Sequence, residues 1–348
     1  MNFVLYVLIP MFIVQIGYAV MQAPSLERRL TVWSPYFWLA LYWVAAVTFR
    51  NFYMTPDDVN YVVHLNRTTV MEGFEVHNAL GHSPLYYWLL GAVRRVFGDD
   101  ESSFLILAGF AALAKFILIG RLTRWDALAA LMYVGTFLIL HDMVQFRIAL
   151  ALAFVLGALL LLQQRKWIWA AAVYAPSIFI HSQTAAFIMV PAVYLAFNDR
   201  YYWALGAAAG ALLLAAIGIS ADLQRFIPFL DDDRFFRNLE SSEVGGVGVT
   251  SLMIFALTAA VTPLMKFANT TQKVAYYSVI SGFFALWLTI MASGISSRLA
   301  HMFWVPLCLL APLARHRSYS KYIWIGGAVA YFILSTFINQ LILDWRIY

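Results

Sequence analysis

The chain has a single cysteine in 348 residues, Cys308, which excludes an internal disulfide and a cysteine-based metal cluster. Charge is the next scarcity. Only 12% of residues are Asp, Glu, Lys or Arg and 63% are hydrophobic, against roughly a quarter charged in an ordinary soluble domain. No substantial part of the chain therefore reads as a soluble domain. No repeat of fixed period and no low-complexity tract is visible, so 1–348 reads as one membrane domain. The glycines of VGGVGVT, Gly245, Gly246 and Gly248, are not followed by Gly-Lys-Ser/Thr and so form no phosphate loop. They suit a flexible entry into the next span and a gate over a site. Residues 1–21 lack a basic n-region and are as long as a full span, and so read as a retained helix, not a cleaved signal.

What is present in abundance is apolar runs of about 20 residues, each long enough to cross a hydrocarbon core about 30 Å thick. Marked along the chain they give spans near 2–21, 33–49, 103–120, 125–141, 146–163, 167–181, 183–197, 201–219, 249–267, 274–292, 298–314 and 322–341. The expected fold class is all-α, a polytopic membrane protein of about 12 transmembrane helices. Pro176, His181 and Pro191 interrupt 167–197, so that stretch also reads as one bent segment. The net charge of +5 and the pI near 9.2 fit insertion topology better than nucleic-acid binding, because the basic residues fall in short loops. With Met1 outside, the cytoplasmic loops hold Arg28, Arg29, Arg121, Arg124, Arg165, Lys166, Arg200, Lys266, Lys273, Arg315, Arg317 and Lys321. Only Glu27, Asp126 and Asp199 oppose them. The expectation is N-out, C-out. Outside the spans, lysine falls only on the cytoplasmic side and the outer loops use arginine, the better residue for forked contacts to phosphate.

Two outer segments exceed a connector, 50–102 and 220–248. In the first, 57–70 and 84–97 read as short helices, the second amphipathic and lying along the membrane surface with Arg94 and Arg95 at the headgroups. Ionisable residues near helix ends gather on this side: Arg50 with Asp57, Asp58 and Tyr61; His82; His141, Asp142 and Arg147; His181; Arg298 and His301. Arg147 and Arg298 each stand at an outer helix start, where a helix dipole behind each would make an anion clamp. The competing role is a headgroup anchor. His181 has two readings, a hydrogen bond across a helix contact or a group that orients a diphosphate or acts as a base. Asp57 and Asp58 would cap the helix after them, which accounts for one of the two; the other suits a general base. With no third ligand at helical spacing, no metal is expected at this pair. Asp231, Asp232 and Asp233, ahead of Arg234 and Arg237, read as a solvated face.

Taken in order, Arg50 with Asp57-x-x-Asn60-Tyr61, FR-x-ALALAF at 146–154, FIHSQTAAFIMVP at 179–191 and SSRLAHMF near the end resemble the EpsG/Wzy family of bacterial polysaccharide polymerases. The resemblance covers about 45–310. It implies a GT-C-like membrane glycosyltransferase on the periplasmic or extracytoplasmic face of the cytoplasmic membrane. Its substrates would be undecaprenyl-diphosphate-linked glycans, donor and acceptor, with a chain-length regulator and a flippase of the same pathway as partners and no cofactor. Arg147 and Arg298 match the family's motif arginines, His181 its helix-break histidine, and Asp57, Asn60 and Tyr61 its first-loop motif. His82 and Ser83 stand where members often carry an acidic residue.

The expected mechanism sets the diphosphate between Arg147 and Arg298, with Asp57 as first and His181 as second choice of base. Arg50, Asp58, Asn60, Tyr61, His82, His141 and His301 contribute to substrate binding, and Arg94, Arg95, Arg234 and Arg237 steer phosphates or hold the growing chain. The competing readings are a lipid-linked oligosaccharide flippase or polysaccharide exporter, and a single-sugar transferase using a lipid-monophosphate donor. A membrane acyltransferase is a further alternative, for which the cytoplasmic loops offer only His316.

Overall fold

The computed structural model describes residues 4–22, 34–50, 83–98, 100–217, 248–289, 293–315 and 317–338. All regular structure among them is helical. In chain order the helices are α1 (Ile9–Met21, entered through a π-turn), α2 (Pro35–Thr48), α3 (Pro84–Phe97) and α4 (Asp100–Thr123). Then follow α5 (Ala127–Val144), α6 (Phe146–Gln163), α7 (Trp167–Ile180), α8 (Met189–Phe197) and α9 (Tyr201–Ala216). The last are α10 (Val249–Val261), α11 (Thr270–Leu288), α12 (Ser293–Trp304) and α13 (Ser318–Ile333). Glu101–Thr123, Ala127–Val144, Phe146–Gln163 and Val249–Phe267 are long and apolar enough to cross a membrane, and six shorter helices are apolar as well. The chain is a helical membrane protein.

Two compact units divide it, Met1–Ala185 with Arg315–Tyr348, and Ala186–Ala314. In the first unit α5 is the central helix, buried along its whole length. It starts cleanly because Asp126 caps it, accepting from Leu128 N at 2.8 Å and Ala129 N at 3.2 Å. From Val134 to Val144 it widens into a π-helix. Gly135 lets α13 come close: a Cβ there would lie 2.6 Å from the Ala328 carbonyl oxygen. Below the start of α5, Arg315 donates to Asp126 at 2.6 Å and to the Gln22 carbonyl at 2.8 Å. The Gln22 side-chain oxygen accepts from Ala127 N at 2.6 Å. One arginine thus ties the ends of α1 and α13 to the start of α5.

The second unit is built on α11, whose buried side includes Tyr276, Tyr277, Ser278 and Ser281 as well as apolar residues. A capping box of Asn269 and Gln272 opens it. Two of its polar groups are met inside the unit: Tyr276 Oη donates to the Tyr201 carbonyl at 3.0 Å and Ser278 Oγ to the Phe303 carbonyl at 2.8 Å. Gly282 clears a place for the Trp304 indole, which a Cβ would meet at 2.3 Å. Ahead of α9, Asp199 receives hydrogen bonds from Lys273 and Tyr201, which hold its carboxyl below the usual carboxylate range.

Candidate functional site

Arg147 is the second residue of α6, so the free N–H groups and positive dipole end of that helix lie beside its guanidinium. The residue before it is held on two sides. Phe146 packs edge-on to Phe104 of α4 at 4.7 Å and tilts against Tyr86 of α3 at 5.7 Å. The Arg147 guanidinium lies 6.0 Å from the Tyr86 ring centroid, and its side chain is half-buried. A cation against an aromatic face keeps its charge while shedding water on one side.

Helix α3 covers this point. Pro84 opens it, Gly98 closes it in the left-handed conformation at φ 75°, and Tyr86, Tyr87, Leu90 and Gly91 form its buried face. That face packs on α4 and α7. Arg94 is half-buried and Arg95 exposed in its last turn, where two cations also suit the helix dipole.

His181 ends α7 in an extended conformation. Pro176 has already removed one backbone donor, and Tyr174 Oη reaches over the turn to the Thr184 carbonyl at 2.6 Å. The half-buried imidazole is 3.1 Å from the Gln183 side-chain oxygen. Helices α6 and α7 run as a hairpin with Gly157 against Val173. Ten residues from that contact on either strand stand Arg147 and Gln183, so His181 and Arg147 share one end of the hairpin. Arg50 belongs to the same end of the unit: α2 runs from Tyr36, which reaches Phe116 in the second half of α4, to Thr48, which packs on Gly109 in its first half, and Arg50 follows and is buried.

The remaining candidates divide. His141 is fully buried and stacks on Phe137 with centroids 6.0 Å apart. Asp142 is also buried, paired with Lys115 and accepting from the Tyr133 hydroxyl. Arg298 and His301 lie in the second unit, both on α12, with Arg298 exposed and His301 edge-on to Trp304 at 5.2 Å. Arg298 is the sixth residue of α12, past the first turn in which a dipole acts, so the helix-start argument holds for Arg147 and not for Arg298. Asp57, Asp58, Asn60, Tyr61, His82, Arg234 and Arg237 lie outside the described residues. Tyr86 as the partner of Arg147 was missed in the sequence, although the Tyr86-Tyr87 pair after Pro84 on an amphipathic stretch was its signal.

Cationic and imidazole side chains drawn to one end of a unit in a helical membrane chain mark a candidate functional site. The EpsG family matches the chain over residues 35–344, and the chain belongs to that family, a Wzy-like family of polysaccharide polymerases. No curated protein and no solved structure matches the chain.

Proposed function

We propose that the protein joins undecaprenyl-diphosphate-linked oligosaccharide units at the extracytoplasmic face of the bacterial cytoplasmic membrane. The observation that carries this reading is the Arg147 arrangement: a half-buried guanidinium at a helix N-terminus, at the end of the unit that also holds Arg50 and His181. Family membership supports the polymer, and the arginines fit an anionic leaving group. Arg147 binds the donor's diphosphate, and Arg298 is a second cation for substrate, assigned from its place in the family motif alone. A hydroxyl of the acceptor sugar attacks the donor's anomeric carbon, the bond from that carbon to the diphosphate oxygen breaks, and the lipid diphosphate departs. Because that anion is weakly basic, cationic stabilisation replaces a general acid. The acceptor proton goes to one base, Asp57 first and His181 second. Asp142 is not that base: its carboxylate is committed to Lys115 and Tyr133.

The test is to reconstitute the purified protein with undecaprenyl-diphosphate-linked repeat units from its host and resolve the products on a gel. A ladder of glycan lengths without nucleotide sugar or ATP is the expected result; unchanged substrate that crosses the bilayer would make the protein a flippase. Arg147→Ala and Arg298→Ala are each expected to lower polymerisation about 100-fold or more with the protein still inserted. Lysine should rescue poorly, since a point charge cannot reproduce a forked contact. Normal ladders from both alanine variants would end the assignment of both arginines.

A further inference from the structure

We propose that Lys115 is a positioning residue for Arg147, acting through Asp142; the inference rests on the polymerase reading above and adds a residue group to it. Lys115 lies about two-thirds of the way along α4 and Asp142 near the end of α5, both with fully buried side chains. Asp142 is held from two sides, by the Lys115 ammonium and by the hydroxyl of Tyr133. The Lys115 ammonium also stands 5.8 Å from the centre of the Tyr133 ring.

The π-helix explains how these groups meet. Tyr133 and Asp142 are nine positions apart. An α-helix of about 3.6 residues per turn would take about two and a half turns over that distance and point them to opposite sides. The wider i→i+5 helix takes only about two turns, which returns Asp142 to the face of Tyr133. The widening runs from Val134 to Val144, starting just after Tyr133 and including Asp142, the two partners of Lys115. Stretches of this kind are rare and frequent at functional sites.

The position of the lock gives it a consequence. Three residues after Asp142 the chain turns at Gln145, φ −99° and ψ 62°, and α6 begins with Phe146 and Arg147. Helix α4 therefore grips this corner twice: through Lys115 on the α5 side, and through Phe104 against Phe146 on the α6 side. The first grip sets the phase of the helix that enters the corner, the second the residue beside Arg147. Packing alone gives no reason for a charged pair here, because buried ion pairs replaced by apolar residues of similar volume often cost no stability.

The test uses the full-length reconstituted protein and the ladder assay, with turnover normalised to monodisperse protein. Lys115→Met with Asp142→Leu removes both charges together. It is expected to insert with a Tm at or above the parent, yet to lose at least tenfold in kcat/KM for the donor. On an Arg147→Lys background the same pair should cost less than threefold more, because the geometry it maintains is already forfeited. No loss on the parent background, or the same tenfold loss on both, would overturn the proposal by making the pair irrelevant or merely structural. Should the double variant fail to insert, Tyr133→Phe decides through the same cycle: a loss of about threefold on the parent and none on Arg147→Lys is expected, and parental turnover would overturn the proposal. A parent protein that makes no ladder sinks the polymerase reading and this inference with it; a parent ladder matched by every variant sinks the inference alone.

Discussion

Gly135 shows how a single missing carbon decides a contact. The atom a Cβ would strike is the Ala328 backbone oxygen, which cannot swing aside as a flexible side chain would. Gly135→Ala should therefore force α13 away from α5 and destabilise by about 1–3 kcal/mol, read as a lowered Tm of the detergent-purified protein. Gly206 and Gly210 of α9 meet nothing within 4 Å, so alanine there, measured alongside, should leave Tm unchanged or raise it through helix propensity. An equal drop at Gly135 and Gly206 would mean that the close approach is not what the glycine serves. The same scale limits what the sequence can reveal. A glycine in an apolar helix carries no mark of which backbone crosses it, and Lys115 stands out in its span without naming Asp142 as its partner, since that pairing depends on a π-helix that hydropathy does not register.

Helix ends were more legible than helix interiors, because capping and turn chemistry is local. Pro35, Pro84, Gly98, and Asn269 with Gln272 all sit where an end requires them. Pro176 and His181 mark the break after α7 for the same reason. Asp126 does two jobs at such an end, capping α5 and pairing with Arg315, whose side chain is 5% exposed against 12% for the aspartate. Asp126→Ala should cost about 2–4 kcal/mol, part lost cap and part stranded arginine. Asp126→Asn keeps the acceptor for Leu128 N and should cost less. Chemical denaturation followed by tryptophan fluorescence ranks the two, and equal losses would show that the charge, not the cap, carries the effect. The apolar run near 274–292 corresponds to α11, which is buried through most of its length, but nothing in the run shows that its hydroxyl groups face protein.

Sidedness is a property of the whole chain, and it rests on the distribution of lysine and arginine between alternate loops. Within each unit the structure is consistent with that alternation. Gln22, Asp126, Arg315 and Lys321 meet at one end of the first unit, while Arg50 and Arg147 belong to the other; in the second unit Asp199, in the turn before α9, pairs with Lys273 in the first turn of α11. Which side faces the cytoplasm can be asked with single cysteines, since Cys308 is buried and leaves little background. Gln164 and Val96 are exposed, as is Phe267. A cysteine at Val96 should react with a membrane-impermeant maleimide in intact cells, whereas cysteines at Gln164 and Phe267 should react only after permeabilisation. Four spans separate Gln164 from Phe267 in the twelve-span reading, an even number, so those two must respond alike. If both are labelled in intact cells and Val96 is not, the orientation is inverted and the Arg147 end faces the cytoplasm, where no extracytoplasmic glycan could reach it. If they respond differently, one of the short helices between them does not cross the membrane, and the count of twelve falls while the assignment of Arg147 stands.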